Sequence, residues 1–322
     1  MNTLITGGAG FIGSNYVRYL YSNTEDQITV VDNLNYRGCL ENFPLDIWNS
    51  PRFKFVYGDI CNERLMIKLL GEAEQVVNFA AWSFVDKSFD NSADFIKSDI
   101  EGVRCLMEAL RLSDTVEKFI HISTSEVYGT ALTRPMTEDH PLDPCSIYAA
   151  SKCGGDRLAK AYWITHGLPV VIIRPFNNYG PNQYIENWIP KVITSILSGR
   201  PIPLFGEGTA KRDWLYVKDT CRGISKALDR GKPGEVYNLA TGESTSTYTV
   251  ALKVTKFLQD HVYRIDNIAA RPGEVSEHIG SYEKATNELG WSPKYTFEMG
   301  LEETVEWFIS NKQWWQRRSV DA

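Results

Sequence analysis

The sequence predicts an α/β fold: a doubly wound parallel sheet with a smaller, discontinuous C-terminal lobe. Three features carry that expectation. Short β-branched runs alternate with helix-length segments through the first 175 residues, a glycine-rich turn follows the first run, and after Arg174 the chain turns to stretches broken by Gly and Pro. Runs that are apolar throughout, not alternating, suit strands covered on both faces, as in parallel sheets.

Taken in order, strands are expected at residues 2–6, 28–32, 53–57, 75–79, 118–123 and 169–174. The first leads into "GGAGFIG", with Gly7, Gly10 and Gly13 three apart. Backbone without Cβ lets a pyrophosphate approach, and the start of the next helix, at Phe11, Ile12 and Gly13, offers N–H groups to it. The second strand ends in Asp32, followed by Asn33. An acid about twenty residues past the glycines takes adenosine ribose hydroxyls and repels a 2′-phosphate, so NAD is expected over NADP. Arg37, just beyond, is a cation able to neutralise such a phosphate. Strand, triplet, helix and acid in this order predict a Rossmann dinucleotide site, completed by Asp59 and Ile60 after the third strand and by Ala80 and Ala81 after the fourth. This domain spans residues 1–175. Residues 176–322 form most of the second lobe, with a strand near 234–242 returning to the first sheet. His121, mid-strand, is expected to be packed, and the tail "NKQWWQRRSVDA" to fray.

The fifth strand runs into "STSEVYG", which sets Thr124, Ser125 and Glu126 side by side. Downstream, Tyr148 and Lys152 stand four apart in a helical segment and so share one face. An ammonium one turn away favours the phenolate and lowers the phenol's pKa. Thr124 can hydrogen-bond the same substrate oxygen. Composition narrows the class. A net charge of −6 gives no reason to expect nucleic acid or an anionic membrane, and six cysteines without a CxxC pair indicate neither a metal site nor a disulfide framework. No secretory leader or membrane span is expected, and a cytoplasmic enzyme with free thiols is.

The glycine triplet, the strand-end Ser-Thr and YxxxK together resemble the extended short-chain dehydrogenase/reductase family, in its nucleotide-sugar branch. "NFAAWSFVDKS", "STSEVYG", "YAASK", "RPFNNYGPNQ", "RDWLYVKD", "GEVYNLATG" and "ELGWSP" fall in that family's order. The pattern is most similar to the dTDP-glucose 4,6-dehydratases. The resemblance implies that Tyr148, Lys152 and Thr124 oxidise carbon 4 of an NDP-hexose with tightly bound NAD, and that Glu126 takes the proton from carbon 5. Water then leaves carbon 6 and the cofactor is regenerated. It further implies substrate contacts at Trp82, Asn178, Asn187, Arg212, Asn238 and Arg271. It also implies a homodimer through a four-helix bundle built from the segments near 93–111 and 148–165.

Departures keep alternatives open. Ser125 stands where the dTDP-glucose enzymes carry the aspartate that protonates departing water. GDP-mannose 4,6-dehydratases and UDP-glucuronate decarboxylases also read Thr-Ser-Glu. Asn187 replaces a lysine, Asp99 an asparagine, and Glu274 to His278 occupy a stretch with arginines in the pattern. A UDP-glucuronate decarboxylase or an NDP-sugar 4-epimerase is the alternative. A non-catalytic NAD-binding protein is the remote one, since such proteins often lose the tyrosine or lysine kept here.

Overall fold

The protein is described by a computed structural model covering residues 1–35, 37–270 and 273–318. Arg271, expected to contact substrate, lies outside the described residues. The apolar runs fold close to expectation as β1 (Asn2–Thr6), β2 (Gln27–Asp32), β3 (Phe53–Tyr57), β4 (Gln75–Asn78), β5 (Lys118–Ile122) and β6 (Val170–Pro175). Consecutive residues in these strands go to opposite cores. Ile5, Val30, Val77, Ile120 and Val171 pack on one face of the sheet, while Leu4, Val31, Val76, Phe119 and Val170 pack on the other. Both faces being covered is why the strands read as continuous apolar runs.

The strand Val236–Leu239 pairs in parallel beside β6, giving a seven-stranded sheet in the order Val236–Leu239, β6, β5, β4, β1, β2, β3. The fold class is thus as predicted. Strand order reverses between β1 and β4, and a crevice for ligands opens at the C-terminal ends of strands at such a point. Thr6, the last residue of β1, is level with Val31 on one side and Asn78 on the other, so the three following loops open on one edge.

Two close approaches fix this edge. Gly7 adopts φ +66°, and a Cβ there would lie 2.5 Å from the Ala80 amide nitrogen, so only glycine lets the first loop lie against the end of β4. A Cβ on Gly155 would lie 2.2 Å from the Asp99 carbonyl, which lets the helix Ile147–His166 pack tightly on the stretch Lys97–Gly102. After β6, short strands pair two by two: Asn177–Tyr179 with Trp214–Tyr216, Lys211–Arg212 with Thr245–Ser246, and Ile202–Phe205 with Ile265–Ile268.

As far as residue 318 the tail departs from expectation, and its last four residues lie outside the described ones. Lys312–Arg318 is a helix, with Trp315 only 1% exposed and its Nε1–H donated to the Phe308 carbonyl. Two adjacent tryptophans and Arg317, paired with Glu41, hold it down, which its charged composition concealed. Among the described residues no helix is long and apolar enough to cross a membrane.

Candidate active site

A cavity of about 420 Å³ sits over the C-terminal ends of β1, β2, β4 and β5. Gly7, Gly10, Phe11, Ile12 and Gly13 line one end. The helix Phe11–Asn23 begins here with no acidic side chain in its first turn and no side-chain cap on Gly10, so its positive end is left for an anion. Asp32, Asn33, Asp59, Ile60, Ala80 and Ala81 continue the lining. Asp32 accepts from the Ala9 N–H at 2.9 Å and the Leu34 N–H at 2.8 Å. Burial raises its pKa, and those two amides oppose the rise. Asp59 is only half-buried; that desolvation raises its pKa, but the Cys61 amide, Asn33 and Lys97 outweigh it and bring the value below the ordinary one. Arg37 lines the cavity too, but its guanidinium is engaged by protein groups: it pairs with Glu186 at 3.0 Å, donates to Ser83, and stacks on Phe84.

Just past the C-terminal end of β5, Thr124 caps a short turn by accepting from the Glu126 N–H. Thr124, Ser125 and Glu126 all line the cavity, facing Tyr148 and Lys152 from the helix Ile147–His166. That helix starts cleanly because the Ser146 hydroxyl caps the Ala149 N–H. The spacing therefore places both side chains where expected, but the electrostatics differ from the expectation. The Tyr148 phenol is pushed above its ordinary value by burial, then by Asp99 and Glu126, against the Thr124 hydroxyl and Arg37. Lys152 is drawn to the Ile122 carbonyl at 2.8 Å, and its own pKa is lowered by burial against the pull of Asp99 and Asp156. Asp99, 1% exposed, bridges the loop after β4 to this helix by accepting from the Trp82 N–H and the Ser151 hydroxyl.

On the substrate side, Asn178, Asn187 and Arg212 line the cavity. The Asn178 amide is already engaged, donating to the Phe176 carbonyl and accepting from Thr220. Asn187 opens the helix Trp188–Leu197, and Arg212 donates to the Val275 carbonyl at 2.7 Å. Two residues expected here stand elsewhere. Asn238 is fully buried beside β6, accepting from the Tyr128 hydroxyl at 2.8 Å and donating to the Met136 carbonyl, so it braces the interior and does not line the cavity. The Trp82 ring packs on Phe95, whose edge meets Tyr148, so Trp82 supports the phenol from behind and is not among the lining residues. His121 is buried as expected, and burial lowers its pKa to about 3. Sequence reasoning missed Glu186, Trp314 and His278. Glu186 follows a turn-rich stretch, Trp314 comes from the supposed loose tail, and His278 was read only as a missing arginine.

The sequence profile of the GDP-mannose 4,6 dehydratase family matches residues 4–304. The chain belongs to that family. Among curated members of this fold group, a dTDP-glucose 4,6-dehydratase from Actinoplanes sp. is 42% identical, over 98% of this chain and 100% of the relative. The crystal structure of a dTDP-glucose 4,6-dehydratase from Streptomyces venezuelae, with NAD bound, superimposes with a TM-score of 0.94 at 36% identity, covering 99% of this chain and 100% of that one. A UDP-glucuronic acid 4-epimerase from Bacillus cereus, in complex with UDP-glucuronic acid and NAD, gives 0.90 at 30% identity, covering 96% and 99%. The GDP-mannose 4,6 dehydratase family thus has both dehydratases and epimerases as structural neighbours of this member, and the fold alone does not choose between them.

Proposed function

We propose that the chain is an NDP-hexose 4,6-dehydratase acting with bound NAD. One observation carries the reading: a carboxylate, Glu126, shares the cavity wall with Thr124, Tyr148 and Lys152. Oxidation at carbon 4 needs a phenol, a hydroxyl and an ammonium; a carboxylate beside them serves proton removal at a neighbouring carbon. The dehydratase relatives at 36–42% identity support the same choice and make dTDP-glucose the first substrate to try.

The residues present fit a dinucleotide. The glycine loop and the open helix end suit its diphosphate, Asp32 the ribose hydroxyls, and Asp59 and Ile60 the adenine. Arg37, tied to Glu186, favours NAD over NADP. So held, NAD would supply a hydride acceptor for carbon 4 and a positive ring that favours the Tyr148 phenolate and, once reduced by that first step, the hydride donor for carbon 6. Tyr148 takes the proton of the carbon-4 hydroxyl, and Thr124 orients that oxygen. Once carbon 4 is a ketone, the carbon-5 hydrogen is acidic and Glu126 removes it as the carbon-6 hydroxyl leaves. Arg212, with its planar fork, and the N–H groups near Asn187 hold the sugar-nucleotide diphosphate in this reading, which both residues' places on the cavity wall support. Residues 1–175, with the returning strand, hold the dinucleotide, and residues 176–322 mainly the sugar nucleotide. The assembly is a homodimer through the helices flanking Asp99 and Tyr148, in the cytoplasm.

The test is mass spectrometry of products from dTDP-glucose and other NDP-hexoses. A product lighter by one water is expected, and Glu126→Gln should slow its formation by roughly 10²–10⁴-fold. An isomer of unchanged mass, or loss of carbon dioxide from UDP-glucuronate alone, overturns the assignment.

A further inference from the structure

Ser125 leaves the elimination without a carboxylic acid for the departing oxygen, and the structure sets a different group behind it. His278 is 0% exposed, wedged against the Phe176 ring, and its segment is pinned by the His278 N–H to Lys211 carbonyl bond at 3.0 Å. Its Nε2 lies 2.8 Å from the Gly129 carbonyl oxygen. A carbonyl only accepts, so Nε2 carries the hydrogen and Nδ1 of the neutral ring is bare. That bare nitrogen stands 3.5 Å from the Ser125 hydroxyl oxygen and 3.6 Å from Oε1 of Glu126. One buried atom therefore faces both the base and the hydroxyl that line the cavity.

We infer that His278 is a positioning and relay residue, passing the proton that Glu126 removes from carbon 5 to Ser125 and thence to the oxygen leaving carbon 6. This rests on the dehydratase reading. The balance closes within the substrate. The C5–H bond breaks, its electron pair becomes the C5–C6 double bond, and the C6–O bond breaks with its pair on oxygen. Glu126 takes the C5 proton and yields it to Nδ1. The Ser125 hydroxyl gives its proton to the leaving oxygen, forming water, and receives the one on Nδ1. All three side chains end as they began. Both gaps are longer than a tight hydrogen bond, so hydroxyl and carboxylate must close on the ring as substrate binds.

The charged groups around the ring suit the role. Burial, Arg212 and His140 lower its pKa, while Glu126 and the Gly129 carbonyl raise it. A ring that is neutral at rest, beside a carboxylate that favours its cation, takes a proton only transiently.

The experiment separates half-reactions with dTDP-glucose. His278→Gln keeps an amide donor for the Gly129 carbonyl but cannot shuttle a proton. It should still form NADH by absorbance and still exchange the carbon-5 hydrogen with deuterated solvent, while water loss falls at least about 10²-fold. Ser125→Ala, a small change that leaves packing intact, should behave the same way, and the double variant should be no worse than either. Ser125→Asp should restore water loss in the His278→Gln background. Independently of turnover, nitrogen-15 NMR of histidine-labelled protein should report the Nε2–H tautomer of His278, with an Nδ1 shift that moves in Ser125→Ala and Glu126→Gln. Water loss within about threefold of the parent in His278→Gln, multiplying defects in the double variant, or an Nδ1–H tautomer overturns the relay alone. A parent that dehydrates no NDP-hexose overturns the dehydratase reading and the relay with it.

Discussion

At Asp99 a carboxylate stands where a neutral amide would keep much the same contacts. Its two oxygens accept from the Trp82 N–H and the Ser151 hydroxyl, so an asparagine retains the first acceptor and can reorient the second. Burial raises its pKa to about 6, against the pull of Lys152, the Ser151 hydroxyl and the Trp82 amide. The folded chain therefore holds this proton more tightly than the unfolded chain, whose value is near 3.8. The protonated carboxyl favours folding fully below about 3.8, and that contribution is lost as pH rises through about 6, leaving a standing penalty on the order of 3 kcal/mol above it. Asp99→Asn should thus be more stable than the parent by about 2–3 kcal/mol in urea unfolding at pH 8, the gain shrinking toward zero by pH 4. Because Asp99 also raises the Tyr148 phenol, the alkaline rise of kcat should move to lower pH in the same variant. A gain that does not change with pH, or a kcat profile that does not move, would sink this account of the charge.

One helix, Ile147–His166, explains both what was legible in the sequence and what was not. Its period is fixed, so Tyr148 and Lys152 at i and i+4 had to share a face, and Ser146 and Gly167 mark its ends by cap chemistry. The strands were legible for a similar reason, since parallel strands buried on both sides are apolar without alternation. Asn238 and His278 were not legible. Asn238 sits on a strand, but which of its two faces meets the cavity depends on Tyr128, from far away in the chain. His278 lies in a stretch with no period, and only long-range bonds to Lys211 and Gly129 bring it under Ser125. The outer face of the same helix carries Ile147, Ala150, Ala161 and Ile164, all exposed. A second copy packing there buries them, as the proposed dimer requires. Ile164, 65% exposed in the chain, makes the probe: Ile164→Glu should leave the fold unchanged and convert a species of twice the chain mass to monomer in sedimentation equilibrium. A parent that sediments as a monomer would rule the dimer out.

Across the whole molecule, the glycine loop, the middle of the chain and the helix Lys312–Arg318 meet at one side chain. Asn42 donates to the Ala9 carbonyl at 2.8 Å and accepts from Trp314 Nε1 at 3.0 Å and from Asn182 at 3.1 Å. Ala9 lies in the glycine loop and gives its N–H to Asp32. The C-terminal helix, the loop near residue 182 and the dinucleotide end of the cavity are therefore one hydrogen-bonded assembly, with Trp314 itself on the cavity wall. A buried network of this kind loses more than one bond when its hub is removed, because each orphaned partner stays desolvated. Asn42→Ala leaves the Ala9 carbonyl, the Trp314 N–H and the Asn182 amide without this partner, and the glycine loop without its brace. The fold should persist by circular dichroism, while NAD affinity, read from quenching of tryptophan fluorescence, should weaken about tenfold, equivalent to about 1.4 kcal/mol. Deleting residues 312–322 should do more. It exposes the pocket of Trp315, whose loss by analogy with buried aromatic truncations costs about 3–5 kcal/mol, and it weakens NAD binding through the same link. If Asn42→Ala binds NAD as tightly as the parent, the C-terminal helix stabilises the fold without shaping the cofactor end, and the coupling through Asn42 is absent.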